Sequence, residues 1–373
     1  MSNRWEVGSE FDWSQEMLTQ SPSPNLIPQP AELFSTGTAI LLAFAQFLPQ
    51  EPTRRLRLHL PCFFCMKVAV KLNLVFELYW YRDLPTYNSP DFSTLNPLPG
   101  DFVLAVNFFG VRDGQVWQDW SAQHQDIILI EDHSHDPFSL WARQSTAQYA
   151  MASLRKTLPI PDGAIIWSPQ KLKLPKPVRA NSVGAYKRLT AMLLKRAYLD
   201  GTNISKKIYR CLDLESQVEL DEEENCAASE FTANILSCLN IVRFRQQREA
   251  NVRQILNETA PSESSNWFPL FTSWVSGFVP FNFILVCKNY EIRDSLRMYL
   301  ISHNIFPAIH WQQSELEISS QDILAIELSN KILTIPTDQR YTARDIARIG
   351  EILLNFNSDF ENLSSEAIEH IHK

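Results

Sequence analysis

Three short stretches carry residue types that could do chemistry together. Ser35-Thr36-Gly37-Thr38 precedes the apolar run Ala39 to Ala45 and so reads as a loop feeding a largely buried helix. The free backbone amides, the hydroxyls and the positive end of a helix dipole suit a phosphate monoester, although Ser and Thr also cap helices with no ligand. Ile127-Ile128-Leu129-Ile130 is a buried-strand run ending in Glu131 and Asp132. Ligands of open α/β sheets gather at the carboxyl ends of strands, which places Asp132 to meet one. Ser153-Leu154-Arg155-Lys156 lies between apolar runs. A lysine there can be desolvated enough to act as a nucleophilic amine.

The elements that must position these residues follow from the hydrophobic pattern. Short apolar runs at Val68 to Phe76, Phe102 to Phe109, Ile127 to Ile130 and Ala164 to Trp167 are candidate strands. Longer segments separate them, as in a three-layer α/β sheet with crossovers. Lys171 to Arg210 is basic and Asp213 to Glu224 acidic, which suggests two solvated faces that partly neutralise each other, or else a basic rim for a phosphorylated or nucleotide-linked substrate. Helical spacing from Phe231 through Leu256 predicts a long connector that stops before Ala260-Pro261-Ser262. Beyond it, Phe283 to Val286, a helix over Ile292 to Ile301, a short run at Ile309 to Trp311 and a helix over Ala343 to Leu354 predict a small α+β unit. The expected division is an N-terminal arm over 1–30, a large domain over 31–240, and a connector helix with a small C-terminal domain over 241–373.

Composition narrows the function class. The chain has 373 residues with 34 Lys and Arg against 42 Asp and Glu, a net charge of -8 that repels polyanions, so nucleic acid is not the expected partner. Among its 10 glycines there is neither GxGxxG nor GxxxxGK[ST], which argues against the common dinucleotide and nucleoside-triphosphate sites. Six scattered cysteines do not make a disulfide scaffold. The first 14 residues lack the apolar core of a signal peptide, and the uncharged stretch Ser264 to Cys287 contains Pro269, Gly277 and Pro280, which suits turns and a buried strand better than a membrane span. A soluble cytoplasmic protein is expected.

Two further patterns invite metal chemistry. Asp132-His133-Ser134-His135-Asp136, with His124 upstream, alternates ligand types, but no distant ligand set accompanies it. Cys62-x-x-Cys65 has no second CxxC, and both cysteines sit among apolar neighbours where they pack as small hydrophobes. No metal site is expected.

The order of a phosphate nest near residue 37, a strand-terminal aspartate at 132 and a Ser-x-x-Lys ending at 156 resembles the DegT-like sugar aminotransferases, which are fold-type-I pyridoxal-phosphate (PLP) enzymes. Leu60-Pro61-Cys62, Val106-Asn107-Phe108-Phe109-Gly110, Ile130 to His135, Ile305 to Trp311 and Leu333 to Tyr341 extend the resemblance over about residues 31 to 355. It implies a large domain with a mostly parallel sheet of seven strands, a small C-terminal α+β domain, and a homodimer in which a partner residue reaches the cofactor phosphate. It also implies that Lys156 bonds the aldehyde carbon of PLP and that Asp132 pairs with the pyridine nitrogen. Thr36, Gly37, Thr38 and Ser153 would hold the phosphate, Asn107 or His135 would meet the ring edge near the phenolate oxygen, and Phe63 or Phe64 would stack on the ring. The implied reaction is ping-pong transfer of an amino group from a small-molecule donor to a carbonyl-bearing sugar or related metabolite.

The chain departs from that family after the lysine. Thr157-Leu158-Pro159-Ile160-Pro161-Asp162-Gly163 stands where a glycine-rich segment is usual, and Arg155 precedes the lysine, where it would bind a substrate carboxylate or depress the lysine pKa. The rival readings are a non-catalytic scaffold of the same fold, and a PLP enzyme of another reaction type such as elimination, decarboxylation or C–S cleavage.

Overall fold

A computed structural model describes residues 4–19, 28–47, 55–180, 183–260, 265–313 and 318–356. Its centre is a nine-stranded sheet. The strands are β2 (Ala31–Phe34), β3 (Leu56–Pro61), β4 (Phe76–Tyr81), β5 (Phe102–Val106), β6 (Ile128–Asp132), β7 (Tyr149–Ala152), β8 (Ala164–Trp167), β9 (Arg179–Ala180) and β10 (Cys226–Ala227), in the spatial order β4-β3-β5-β6-β7-β8-β2-β10-β9. The five strands from β4 to β7 run parallel and β8 is antiparallel to both its neighbours. The expected mostly parallel sheet is therefore present, and β9 and β10 lengthen one edge.

Both faces of this sheet are covered, which explains why its strands are continuously apolar. Along β5, Phe102, Leu104 and Val106 join one apolar cluster with helix α1 (Gly37–Phe47) and α2 (Met66–Leu72). Val103 and Ala105 join another with Trp117 and Trp120 of α3 (Gln115–Gln123) and Trp141 of α4 (Leu140–Gln144). The period of two along the strand is the sheet's own pleat. Seven consecutive residues of α1, Ala39 to Ala45, are buried, so this helix is apolar on every side.

The remaining helices are α5 (Val183–Leu199), α6 (Lys206–Glu222), α7 (Glu230–Ile235), α8 (Ile241–Glu258), α9 (Tyr290–Ser302), α10 (Ile323–Lys331) and α11 (343–356). A smaller antiparallel sheet joins β11 (Trp267–Pro269), β12 (Phe283–Cys287) and β14 (Ile332–Ile335) and shares a core with α9, α11 and the end of α8. The residues near the N-terminus are stitched to this part. β1 (Val7–Gly8) lies parallel to β13 (Ile305–Phe306), and the Gly8 N–H donates to the Tyr341 hydroxyl at 2.6 Å.

Several sequence expectations are corrected. Val68 to Phe76 is not a strand: α2 buries Met66, Ala69 and Leu72 at helical spacing and leaves Lys67 and Val70 outward, and the strand begins only at Phe76. The continuous helix expected from Phe231 breaks at Leu239-Asn240, where the Asn240 side chain accepts the Arg243 N–H and caps α8. Ile309 to Trp311 forms no strand; pairing there is a single bridge from Ala308 to Thr334. The basic and acidic runs, by contrast, partly neutralise each other as the first reading has it: in the α5–α6 hairpin Lys187 meets Glu215 and Glu219, and Arg188 lies 3.6 Å from Asp213. Leu48, part of Pro22 to Pro30, Pro261 and Ser264 lie outside the described residues.

Candidate active site

The parallel strands end together. Val106 of β5, Asp132 of β6 and Met151 of β7 stand in register, so the residues just beyond them emerge along one edge. The eight candidates Thr36, Gly37, Thr38, Asn107, Asp132, His135, Ser153 and Lys156 all line one cleft there, with about 170 Å³ of open volume.

The nest forms because β2 runs into α1 through Ser35-Thr36. The Thr36 hydroxyl accepts the Ala39 N–H at 3.1 Å, while Gly37 and Thr38 begin the helix with amides that have no residue one turn behind them in it. A Cβ on Gly37 would stand 3.2 Å from the Met151 side chain and 3.5 Å from Cβ of Ser153, so the glycine keeps this corner of the cleft open. Ser153 is fixed by its own N–H, which donates to the Ser134 hydroxyl at 2.8 Å.

Asp132 is half-buried. One carboxylate oxygen accepts the Ser134 N–H at 2.8 Å, and the other has no hydrogen bond among the described residues. His135 is buried between Phe109, whose ring is parallel to it at 5.4 Å, and Trp311, stacked at 5.5 Å. Its Nδ1 accepts the Phe109 N–H at 3.0 Å. Burial, followed by the charges of Lys156, His310 and Arg248, holds its pKa well below the ordinary histidine range. The ring is thus neutral with its proton on Nε2, a buried donor with no partner among the described residues. Asn107 is more committed: its amide donates to Ser139 at 3.4 Å and its carbonyl accepts the Arg112 N–H at 3.2 Å. His133 turns elsewhere, to Glu131 at 3.0 Å beneath Trp141 and Trp167, so the two histidines do not converge on a common point.

Lys156 ends a short 3-10 turn after β7, and its Nζ lies 5.5 Å from the centre of the Trp311 ring. The unusual segment after it is held without a glycine-rich loop. Asp162 accepts the Ser229 N–H and hydroxyl, both at 2.7 Å, and the Thr232 hydroxyl, which locks the segment to the start of α7. Gly163, at φ 116°, donates its N–H to Ser35 O at 2.7 Å, tying the same segment to the nest. The two prolines thus rigidify a stretch whose ends are fixed on both sides of the cleft.

The cleft also holds residues the sequence did not single out. Ser134 follows Asp132 closely enough that its position at a strand end was the available signal. Trp311 comes from the far part of the chain, and Gln217 and Asp221 come from α6, whose acidic character reads only as a solvated face. Of the two phenylalanines considered for stacking, Phe64 borders the cleft, whereas Phe63 is buried against Phe108 and Trp311.

No protein-family model and no curated protein sequence matches the chain. Solved structures do. Spr1654 of Streptococcus pneumoniae, classed as a sugar aminotransferase and solved in its PMP form, matches with a TM-score of 0.63 at 14% identity, over 97% of this chain and 100% of that one. PseC of Helicobacter pylori, an aminotransferase of pseudoaminic acid biosynthesis, gives 0.59 at 11% identity over 88% and 87%. The GDP-4-keto-6-deoxymannose-3-dehydratase ColD, solved with bound GDP-perosamine, gives 0.59 at 15% identity over 87% and 88%. In overall course the chain has the fold of these PLP-dependent, fold-type-I aminotransferases.

Proposed function

We propose that the chain is a PLP-dependent aminotransferase that acts on a carbonyl-bearing sugar or related metabolite. The observation that carries this reading is the convergence on one cleft of an amide nest, a carboxylate with an uncommitted oxygen, a buried imidazole N–H and a lysine amine. Those donors and acceptors fit pyridoxal phosphate. The Gly37 and Thr38 amides with the Thr38 and Ser153 hydroxyls would bind the phosphate, Asp132 would hold a proton on the pyridine nitrogen, and the His135 Nε2–H would donate to the phenolate oxygen. Phe64 supplies the stacking face. When bound, the cofactor supplies an electron sink for the carbon next to the amine. Lys156 would hold the cofactor through Nζ, and its amine would serve as base and then acid for the proton at the substrate carbon. The amine sits beside Trp311, whose ring shields it from water on one side.

A second reading, another PLP reaction on a similar sugar, is supported by the dehydratase among the structures of this fold. We further infer a cytoplasmic homodimer, with an arm over 1–30, a cofactor domain over 31–240 and a C-terminal unit over 241–373. Among the described residues no helix is long and apolar enough to cross a membrane. The test is an absorbance titration with PLP of wild type and Lys156→Ala, then borohydride reduction, peptide mapping and product analysis with an amino donor. A visible band that maps to Lys156 and is lost in the variant is the expected result. Wild type and variant that both stay colourless at saturating cofactor would overturn the proposal and favour the scaffold reading.

A further inference from the structure

The turn that carries Lys156 presents a second cation to the cofactor cleft. Arg155 is half-buried and lines the cleft with Ser153, Gln217 and Asp221. Its guanidinium makes a single hydrogen bond among the described residues, from Nη1 to the side-chain oxygen of Gln217 at 3.3 Å, and the buried Nε has no partner. That oxygen also accepts Arg188 Nη2 at 2.8 Å, so two guanidiniums meet on one neutral atom. Burial first, and Arg188 next, hold the Arg155 pKa below the ordinary arginine value, while Glu10, Asp221 and Asp162 pull the other way. None of these three acids comes within ion-pair distance of it among the described residues, and each has another partner. Glu10 lies 3.7 Å from Arg188, Asp221 accepts the Gln217 amide, and Asp162 accepts Ser229 and Thr232.

The same turn is tied to the phosphate nest. The Arg155 N–H donates to Gly163 O at 3.3 Å, and the Gly163 N–H donates to Ser35 O at 2.7 Å, so one residue stands between the backbone of Arg155 and the nest. Its charge also acts on Glu223, beside Ser35, and on Asp162, next to Gly163. A phosphate monoester carries a charge of about -1.5 to -2, whereas a helix N-terminus offers about half a positive charge. The nest alone therefore leaves most of that charge uncompensated, and the carboxyls of Asp221 and Glu223 add to the deficit. The cleft's other cations are Lys67, which is exposed on α2, and Lys156, whose amine is assigned to the aldehyde carbon.

We propose that Arg155 is the cationic ligand of the cofactor phosphate, completing from within one chain a cup whose other donors are neutral. The inference rests on the aminotransferase reading, and it gives a role to a residue at which the chain departs from the family it resembles. Arg155 also reaches a chamber of about 510 Å³ beyond Lys156, where a substrate carboxylate is the competing ligand. The backbone tie to Ser35 favours the phosphate.

The test titrates cofactor-free protein with PLP and with pyridoxal, which lacks the phosphate, and reads binding by absorbance. In Arg155→Met the Kd for PLP should rise about 10- to 150-fold, the range of one charge-assisted hydrogen bond, and the Kd for pyridoxal should change by less than about threefold. Arg155→Lys should recover part of the loss, because it restores the charge without the planar fork. A second readout needs no aldehyde: inorganic phosphate, against chloride at equal ionic strength, should raise the melting temperature of wild type more than that of Arg155→Met. Equal PLP affinity in wild type and Arg155→Met overturns the proposal and leaves the aminotransferase reading standing. A matching loss for pyridoxal overturns it too, since that marks a structural role for the arginine. So does a stabilisation by succinate, and not by phosphate, that depends on Arg155, because the anion it holds would then lie in the chamber. Wild type that binds neither PLP nor pyridoxal brings down the aminotransferase reading, and this proposal with it.

Discussion

Replacing His135 with phenylalanine separates two things the imidazole does. The new ring keeps the stack between Phe109 and Trp311, at 5.4 and 5.5 Å, and removes both nitrogens. On the cofactor side the lost group is the Nε2–H, the buried donor left over once Nδ1 has accepted the Phe109 N–H. A hydrogen bond from it to a phenolate is charge-assisted and worth about 1.5–3 kcal/mol, which is about 10- to 150-fold in the Kd for PLP. On the protein side the Phe109 N–H loses its acceptor, which costs about 1–3 kcal/mol of stability. Asn107→Ala is the control, because its amide is already spent on Ser139 and on the Arg112 N–H. It should lower stability by about 1 kcal/mol and change the Kd by less than about threefold. Absorbance titration with PLP gives the Kd and urea denaturation the stability. Equal Kd values for wild type and His135→Phe would refute the tautomer argument. So would a wild-type Kd that titrates near the ordinary histidine pKa, since burial and the nearby cations hold this imidazole well below it.

Three further outcomes rest on the same geometry. Asp162→Ala strips the hydrogen bonds that fix the segment after Lys156 to Ser229 and Thr232, and is expected to lower stability by about 2–4 kcal/mol in urea denaturation while weakening PLP binding through the nest. Glu223 is buried against Ser35 beneath that nest, and burial pushes its carboxyl up to about 7. The folded state therefore holds this proton more tightly than the unfolded chain, so its contribution to stability is greatest below the unfolded value of 4.5 and declines as pH rises from there to about 7. Glu223→Gln should raise stability by about 1–2 kcal/mol at pH 8 and leave it unchanged at pH 4, as read from melting temperatures. Asp132→Asn keeps an oxygen for the Ser134 N–H and removes the charge; turnover is expected to fall about 100- to 1,000-fold with PLP still bound, as seen by single-turnover kinetics and cofactor absorbance.

The candidate site is legible in sequence where chemistry and chain direction coincide. A parallel strand exposes the residues just past its carboxyl end, so Asp132 and Ser153 can be placed from the apolar runs before them. Thr36 to Thr38 can be placed from the helix after them. These features depend on neighbours in sequence. The same local reasoning misreads α2: Val68 and Val70 suggest a strand, and only the packing of Met66, Ala69 and Leu72 against the sheet decides for a helix. Ala31–Phe34 escapes such reasoning because a half-buried four-residue strand, Ala-Glu-Leu-Phe, carries little pattern of its own.

The contacts that close the cleft from a distance stay hidden. Trp311 approaches His135 from 176 residues away along the chain by virtue of the C-terminal unit's packing, and no spacing rule predicts which ring arrives there. Arg248 looks in sequence like one more cation on a polar helix face, among Arg243, Arg245 and Arg253. Its burial arises because α8 crosses beneath the turn that carries Lys156, so that Thr157 and Gln339, from opposite parts of the chain, meet its guanidinium. Arg253 makes an exposed pair with Glu249 one turn away, a contact of small energetic weight. The same residue type on one helix thus has two physical roles. What distinguishes them is a long-range property, the burial of one guanidinium against oxygens that distant parts of the chain bring to it.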